Sequence, residues 1–240
     1  MLIAGFPTGS LAANCYVLAP ADGADCVIVD PGEDALAAVQ ATVAEHRLRP
    51  VAALLTHGHL DHAAALRDVA SAYGIPGYLH PADEYMLDDP LSALSPEFRQ
   101  MLVGYDLPAM RPDELRRLAA ADVLTFGELE LTVIHTPGHT GGSVLFVLAA
   151  DGERPEVLFT GDTLFAGSVG RTDLPGGSTA TLTASLRSGV LGRPDTAVIL
   201  PGHGPRGTIG AEKRTNPFLV PLLDGPEPTD LPGGVPPTDA

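Results

Sequence analysis

The sequence predicts one α/β domain. Three observations carry that reading: 240 residues with 45% hydrophobic content, enough to bury one large core; β-favouring apolar runs that alternate with helix-period patterns; and a grouping of those runs into two strand-rich halves, each with outer helices. The domain is expected to span residues 1–223. Beyond it, DGPEPTDLPGGVPPTDA (224–240) has no aromatic residue and no positive charge. Such an acidic, Pro/Gly-rich tail buries too little apolar surface to offset its conformational entropy, so disorder is expected there.

The elements follow in order. Leu2 to Phe6, Tyr16 to Leu18 and Cys26 to Val29 read as strands, the last punctuated by Asp30, Pro31 and Gly32. Between Glu33 and His46, Leu36, Val39 and Val43 recur at i, i+3 and i+7, one face of a helix. Val51 to Leu55 is a buried strand, and a helix beginning near Asp61 places Leu66, Val69, Ala70 and Tyr73 on one side. Pro81 to Asp113 is acidic and proline-punctuated, with short helical stretches at best, and is expected to form a flap near the site. The second half offers strands at Val123 to Phe126, Leu129 to Ile134, Val144 to Leu148, Val157 to Thr160 and Ala197 to Leu200. Leu182, Leu186 and Val190 mark a further helix.

Charge and cysteine usage narrow the function classes. Fourteen basic against 30 acidic residues give a formal net charge of -16. Nucleic-acid binding draws most of its affinity from neutralised phosphates, so no nucleic-acid partner and no membrane surface is expected. Cys15 and Cys26 stand alone in apolar strands, outside any CxxC spacing, and read as small core residues in a reducing compartment. The N-terminus MLIAGFPTGS has no basic region ahead of an apolar core, and no apolar run approaches about 18 residues, so a cytoplasmic protein is expected.

The chemistry is concentrated in THGHLDH (56–62), where His57, His59, Asp61 and His62 can all bind a metal. Two ligands separated by Gly58 cannot share a helix face, so they must come from a strand-to-helix loop. Later the chain offers His139 in HTPGHT, Asp162 in FTGDTLF and His203 in LPGHGP, each beside glycine at the edge of an apolar run. A catalytic divalent ion takes about three protein ligands and leaves a position for water. Seven donors therefore fit two ions, with three ligands each and one shared carboxylate. The competing reading is turn chemistry at three glycines and a solvated polar loop; it accounts for each residue singly and not for all seven together.

This HxHxDH segment, followed by a distant His, an Asp in a GD pair and a His in a GHG turn, resembles the metallo-β-lactamase superfamily over about residues 1 to 220. Within it the chain looks like the glyoxalase II branch, the short hydroxyacylglutathione-hydrolase-like proteins. The segments that carry the match are NCYVL, VIVDPGED, LLTHGHLDH, HTPGHTGGSV, FTGDTLFAGSVGRTDLPGG, VILPGHGP and TIGAEKRTNPFL. The resemblance implies an αββα sandwich of two mixed β-sheets flanked by helices. It implies His57, His59 and His139 on a first metal, Asp61, His62 and His203 on a second, and Asp162 as the bridge. Zinc is expected, with iron and manganese compatible with the same donors.

The implied reaction is hydrolysis of a thioester of a 2-hydroxy acid, of the S-lactoyl-thiol type, by a metal-bridging hydroxide that Asp61 orients. The partner is then a small acyl-thiol; the oligomeric state is left open. A carboxylate at Asp162, where the best-known zinc β-lactamases usually carry cysteine, counts against antibiotic hydrolysis. Arg171, Tyr105 and Lys213 are candidate substrate contacts, with Arg214 and Asn216 weaker ones. His46, His80 and His135 read as structural histidines. The alternative is a persulfide dioxygenase, which shares a GRTD segment and uses one iron on His57, His139 and Asp162. An RNA phosphodiesterase conflicts with the acidic charge, and a scaffold without chemistry conflicts with an intact ligand set.

Overall fold

Strands covered on both faces are apolar at consecutive positions rather than at alternate ones, and the best-buried strands of this chain read that way because each is sandwiched between two layers. The structure, a computed structural model, describes residues 1–101, 107–152 and 154–223, with Phe98 and Met101 by backbone alone. The expectation about the tail therefore falls outside the described residues.

The first sheet has the order β1 (Leu2–Thr8), β2 (Ala13–Ala19), β3 (Asp25–Val29), β4 (Arg49–Leu54), β5 (Gly77–Leu79), β6 (Leu115–Arg117). β1 to β3 pair antiparallel and β3 to β6 parallel. The parallel steps need crossovers, supplied by α1 (Ala35–Glu45) and by α2 (Leu60–Ala63) with α3 (Leu66–Tyr73). The second sheet runs β12 (Gly207–Thr208), β11 (Val198–Pro201), β10 (Val157–Gly161), β9 (Val144–Leu148), β8 (Leu129–His135), β7 (Val123–Phe126). Only β10 and β11 pair parallel there, through α6 (Thr179–Gly189).

The side chains sort by strand parity. Cys15 and Val17, Cys26 and Ile28, and Ala53 pack outward with Val39 of α1 and Leu66 and Val69 of α3. Their neighbours Tyr16 and Leu18, Val27 and Val29, and Leu54 face the other sheet and meet Leu131, Val133, Phe146 and Phe159. On β9 the parity continues: Leu145 and Val147 pack against Leu182 and Leu186 of α6. Two mixed sheets back to back with helices outside are the αββα sandwich that the resemblance implies. Both cysteines are free and fully buried, and burial pushes the Cys26 thiol up to about 12, as suits a core residue.

Three strands escape the periodicity reading. β5 and β6 have three residues and β12 has two, too few for a period to show; pairing to a neighbour makes them strands. α1 starts at Ala35 rather than Glu33 because Asp34 is left-handed, with φ 60°. The helix expected near Asp61 is two helices, α2 and α3, separated at Ala64 and Ala65. Of the stretch expected as a flap near the site, the described residues are 81–101 and 107–113. They form α4 (Glu84–Asp88) and α5 (Pro96–Met101), with Asp83, Met86, Leu87 and Met110 buried. Two short helices, α7 (Ile209–Thr215) and α8 (Val220–Leu223), close the described chain.

Tyr16 and Phe159 meet across the two sheets at 5.4 Å, edge to face, and the Tyr16 hydroxyl donates to the Pro201 carbonyl at 2.7 Å. Phe159→Ala should remove this contact and leave a cavity between the sheets. The expected loss is about 3–5 kcal/mol of unfolding free energy in denaturant titration; a loss below about 1 kcal/mol would show that the intersheet layer can collapse around the void.

Candidate metal centre

All seven sequence-selected donors lie at one edge of the sandwich. His57 and His59 occupy the loop that leaves β4, Asp61 and His62 the first turns of α2, His139 the β8–β9 loop, Asp162 the residue after β10, and His203 the turn after β11. Carboxyl edges of strands are where α/β sheets bind ligands. Three trios bring their donor atoms within 4.8 Å of one another: His57, His59 and His139; His57, His62 and Asp162; Asp61, His62 and His203.

Hydrogen bonds on the far side of each ring decide which nitrogen faces inward. His139 Nδ1 lies 2.8 Å from the Arg171 carbonyl, which only accepts, so the proton is on Nδ1 and Nε2 keeps its lone pair. His62 Nδ1 lies 3.1 Å from Asp30 Oδ2, so it donates there and Nε2 faces the cluster. The Thr56 hydroxyl donates to Asp30 Oδ2 at 2.7 Å, so at 3.1 Å it accepts from His57 Nδ1. His139 and His57 thus aim bare Nε2 atoms at the cluster, and His62 turns its Nε2 there too. His139 Nε2 is 3.3 Å from His57 Nε2 and 2.9 Å from His59 Nδ1, and His62 Nε2 is 3.3 Å from His203 Nε2. A proton can serve one such pair at a time, whereas a cation accepts from all of them. Two nitrogens held tetrahedrally at about 2.05 Å from one ion stand about 3.3 Å apart, so the spacing fits a divalent metal.

The carboxylates complete the picture. Asp61 Oδ2 is 3.1 Å from His203 Nε2 and 3.7 Å from His62 Nε2. Asp162 reaches both sides: Oδ1 is 3.3 Å from His62, and Oδ2 is 3.6 Å from His139 and 3.7 Å from His203. Its Oδ1 and His59 Nε2 are buried without a hydrogen-bond partner among the described residues. A buried carboxylate oxygen in that state calls for a cation.

Burial sets the first trio apart from the second. It drives His57 well below the ordinary imidazole range, helped by His62 and His139, and takes His59 down to about 3. Burial opposes charge on His62 as well, but Asp162 and Asp61 outweigh it and hold its pKa well above the usual value. His203 is raised first by its hydrogen bond to Asp61. For Asp61 burial works upward, yet His62 and His203 hold its carboxyl far below the usual range, and Asp162 is lowered against burial in the same way.

Close packing of backbone holds the donors in place. A Cβ on Gly202 would collide with Asp162 Oδ1 and come within 2.6 Å of His62 Cε1, and one on Gly170 would meet the Asp162 carbonyl. Glycine is required at both positions for lack of space. Asp30 itself is 1% exposed, accepts the Thr56 amide at 2.7 Å and sits at φ 51°. It orients two of the imidazoles, one through Thr56. Sequence reading passed over it, although an acid closing a buried strand at the ligand edge, before Pro-Gly, was a usable signal.

The remaining candidates are placed as follows. Arg171 contributes its carbonyl to His139, and its half-exposed guanidinium pairs with Asp173 at 2.7 Å. Lys213 is committed to Asp195 and the Arg193 carbonyl, both at 2.9 Å. Buried Asn216 pins the Phe165 and Ser168 carbonyls, Arg214 is exposed, and Tyr105 lies outside the described residues. His46 pairs with Asp22 at the surface, and His80 stacks on His135.

Residues 8–203 match the family model described as the metallo-beta-lactamase superfamily. The chain belongs to that superfamily. It is similar to the hydroxyacylglutathione hydrolase GloC of Haemophilus influenzae, 34% identical over 213 residues, covering 89% of this chain and 95% of the relative. Among solved structures it is similar to the BLEG-1 B3 metallo-beta-lactamase, with 39% identity, TM-score 0.79 and coverage of 91% and 99% of the two chains. TTHA1623 in a di-iron-bound form is similar at 37% identity, TM-score 0.75, with 90% and 100% covered. ETHE1 from Myxococcus xanthus, at 22% identity and TM-score 0.71 over 95% and 93%, shares the fold. Members of this superfamily bind divalent metals, and the His/Asp cluster of this metallo-β-lactamase-fold chain could hold them. No helix of the described residues is long and apolar enough to cross a membrane.

The opposite shifts of His57 and His59 on one side and His62 and His203 on the other predict an order of metal loss. Raised pKa values at His62 and His203 mean that protons compete with a cation for those rings up to higher pH, while lowered values at His57 and His59 leave their lone pairs free to lower pH. On stepwise acidification of protein loaded with metal, metal analysis after dialysis should show a cation on Asp61, His62 and His203 leaving before one on His57, His59 and His139. Simultaneous release of both would contradict this asymmetry.

Proposed function

We propose that the chain hydrolyses a thioester of a 2-hydroxy acid, of the S-lactoyl-thiol type, with two divalent cations. The observation that carries the reading is the convergence of two complete donor trios on Asp162, which is what a two-cation hydrolase needs. The similarity to GloC along nearly the full length of both chains supports the thioester as substrate. His57, His59 and His139 would hold one cation and Asp61, His62 and His203 the other, with Asp162 shared. When bound, such a pair lowers the pKa of water toward neutrality and polarises a carbonyl oxygen. Zinc suits the nitrogen-rich donor set; the di-iron form of TTHA1623 supports iron as the competing metal.

The chain's own residues supply the rest. Asp61, ionised and hydrogen-bonded to His203, orients the attacking water. A thiolate leaves without a strong general acid. Arg171 would hold the anionic part of the thiol. Its exposed pair with Asp173 is worth about 1 kcal/mol or less, so the guanidinium can exchange that partner for a substrate carboxylate. Arg171 lines a cavity of about 230 Å³ with Thr172, Thr179, Thr183 and Phe218.

Two other reactions are arms of the same test. The similarity to BLEG-1 supports β-lactam hydrolysis, against which the Asp162 carboxylate stands. Persulfide oxidation by one iron on His57, His139 and Asp162 is the other. It would leave the converged Asp61, His62 and His203 without a role.

Wild-type protein is expected to turn over S-lactoylglutathione or the lactoyl ester of another small thiol, and to turn over neither a β-lactam panel nor, by oxygen consumption, glutathione persulfide. Asp61→Asn and His59→Ala should each abolish thioester turnover while far-ultraviolet circular dichroism stays unchanged; wild-type rates in either would sink the mechanism. Arg171→Ala should raise KM about tenfold at near-constant kcat, as expected for one lost hydrogen bond to a charged group of about 1.5 kcal/mol. An unchanged KM would remove Arg171 from the substrate site.

A further inference from the structure

The stretch after β5 carries a carboxylate for which the proposed reaction has no use. Asp83 is fully buried and accepts three hydrogen bonds. Its Oδ2 takes the Gly58 amide at 3.0 Å and the Thr140 hydroxyl at 2.6 Å, and its Oδ1 takes the Gly142 amide at 2.7 Å. Gly58 lies between His57 and His59, and Thr140 follows His139. One side chain therefore ties together the two loops that carry the whole first trio.

The surroundings tighten the same joint. Ser143 Oγ lies 2.8 Å from Thr140 Oγ1 and accepts the Thr140 amide at 3.1 Å. His135 Nε2 donates to the Gly141 carbonyl at 2.9 Å, and the His80 ring stacks on His135 with centroids 4.1 Å apart. The fit leaves no slack: a Cβ on Gly142 would lie 2.6 Å from Asp83 Cγ, and one on Gly58 2.9 Å from the Asp83 carbonyl. No hydrogen bond runs from Asp83 to the loops of Asp61, His62 or His203 among the described residues.

Burying a carboxylate without a paired cation is costly, and burial does raise the Asp83 pKa against the three hydrogen bonds. A core that only had to be filled would not select this group. All three partners donate, and only an acceptor with two free oxygens serves them together; an amide would turn its NH2 toward one of the donors.

We infer that Asp83 is a positioning residue for the first cation, setting the distance between the His57–His59 loop and the His139 loop from a segment that contributes no ligand. The inference rests on the reading of His57, His59 and His139 as a cation-holding trio. Its test isolates that trio. In a His203→Ala background, which weakens the second site, Asp83→Asn should lower the affinity for zinc measured by chelator competition about 10- to 100-fold, the range for groups that orient ligands. In a His59→Ala background the same substitution should leave the remaining zinc affinity within about twofold. Equal losses in both backgrounds, or none in either, would overturn the assignment. If Asp83→Asn fails to fold, Thr140→Val removes one of the three bonds and takes its place in the same comparison. Wild-type protein that binds no zinc, iron or manganese would defeat the metal reading itself. Two bound cations with Asp83→Asn unaffected would defeat only the role of Asp83.

Discussion

Everything at the ligand edge depends on where the ring protons are. His139 and His57 hold an N–H on acceptors behind them, the Arg171 carbonyl and Thr56, so their lone pairs meet in one small volume with no hydrogen between them, and His62, held from behind by Asp30, turns its Nε2 to the same volume. Such a cluster is unfavourable on its own and becomes favourable around a positive ion. The sandwich bears this cost because its three apolar layers are extensive, and the intersheet layer alone buries Phe146, Phe159, Leu131, Leu54 and Leu18.

The two trios are electrostatically unequal although they share Asp162. Around His57 and His59 the dominant effect is removal from water, which favours neutral rings. Around His62 and His203 the carboxylates of Asp61 and Asp162 dominate and favour a charge. Paired groups pushed in opposite directions by their environments mark sites of chemistry more often than of structure. Here they also divide the labour. On the proposed reading one side would offer three nitrogens to one cation, and the other two nitrogens and a carboxylate to a second.

Two buried acids that are not ligands frame this arrangement. Asp30 follows β3 and reaches His62 and, through Thr56, His57. Asp83 comes from the stretch before α4 and joins the loops of His57, His59 and His139. Each is an acceptor that donors surround, and each draws together pieces of chain far apart in sequence. Met86, Leu87 and Met110, from the same 81–113 stretch as Asp83, are buried as well.

Much was legible from the sequence because periodicity and donor spacing are local. Apolar parity located the long strands, Leu182 and Leu186 located α6, and Gly58 between two histidines required a loop rather than a helix. The seven donors could be chosen from THGHLDH and three glycine-flanked positions before any fold was known. What the sequence could not settle depends on contacts between residues distant along the chain. β5, β6 and β12 are strands only because a neighbour pairs with them. Lys213 turned to Asp195 and Asn216 to the Phe165 loop, and nothing in either residue's surroundings in sequence announces those partners. Asp30 lies 26 residues from Thr56 and Asp83 lies 57 from Thr140, so their roles exist only once the chain is closed. Residue type and spacing determined which atoms could hold a cation; tertiary packing decided which nitrogen of each ring faces it, because that choice is made by the acceptor behind the ring.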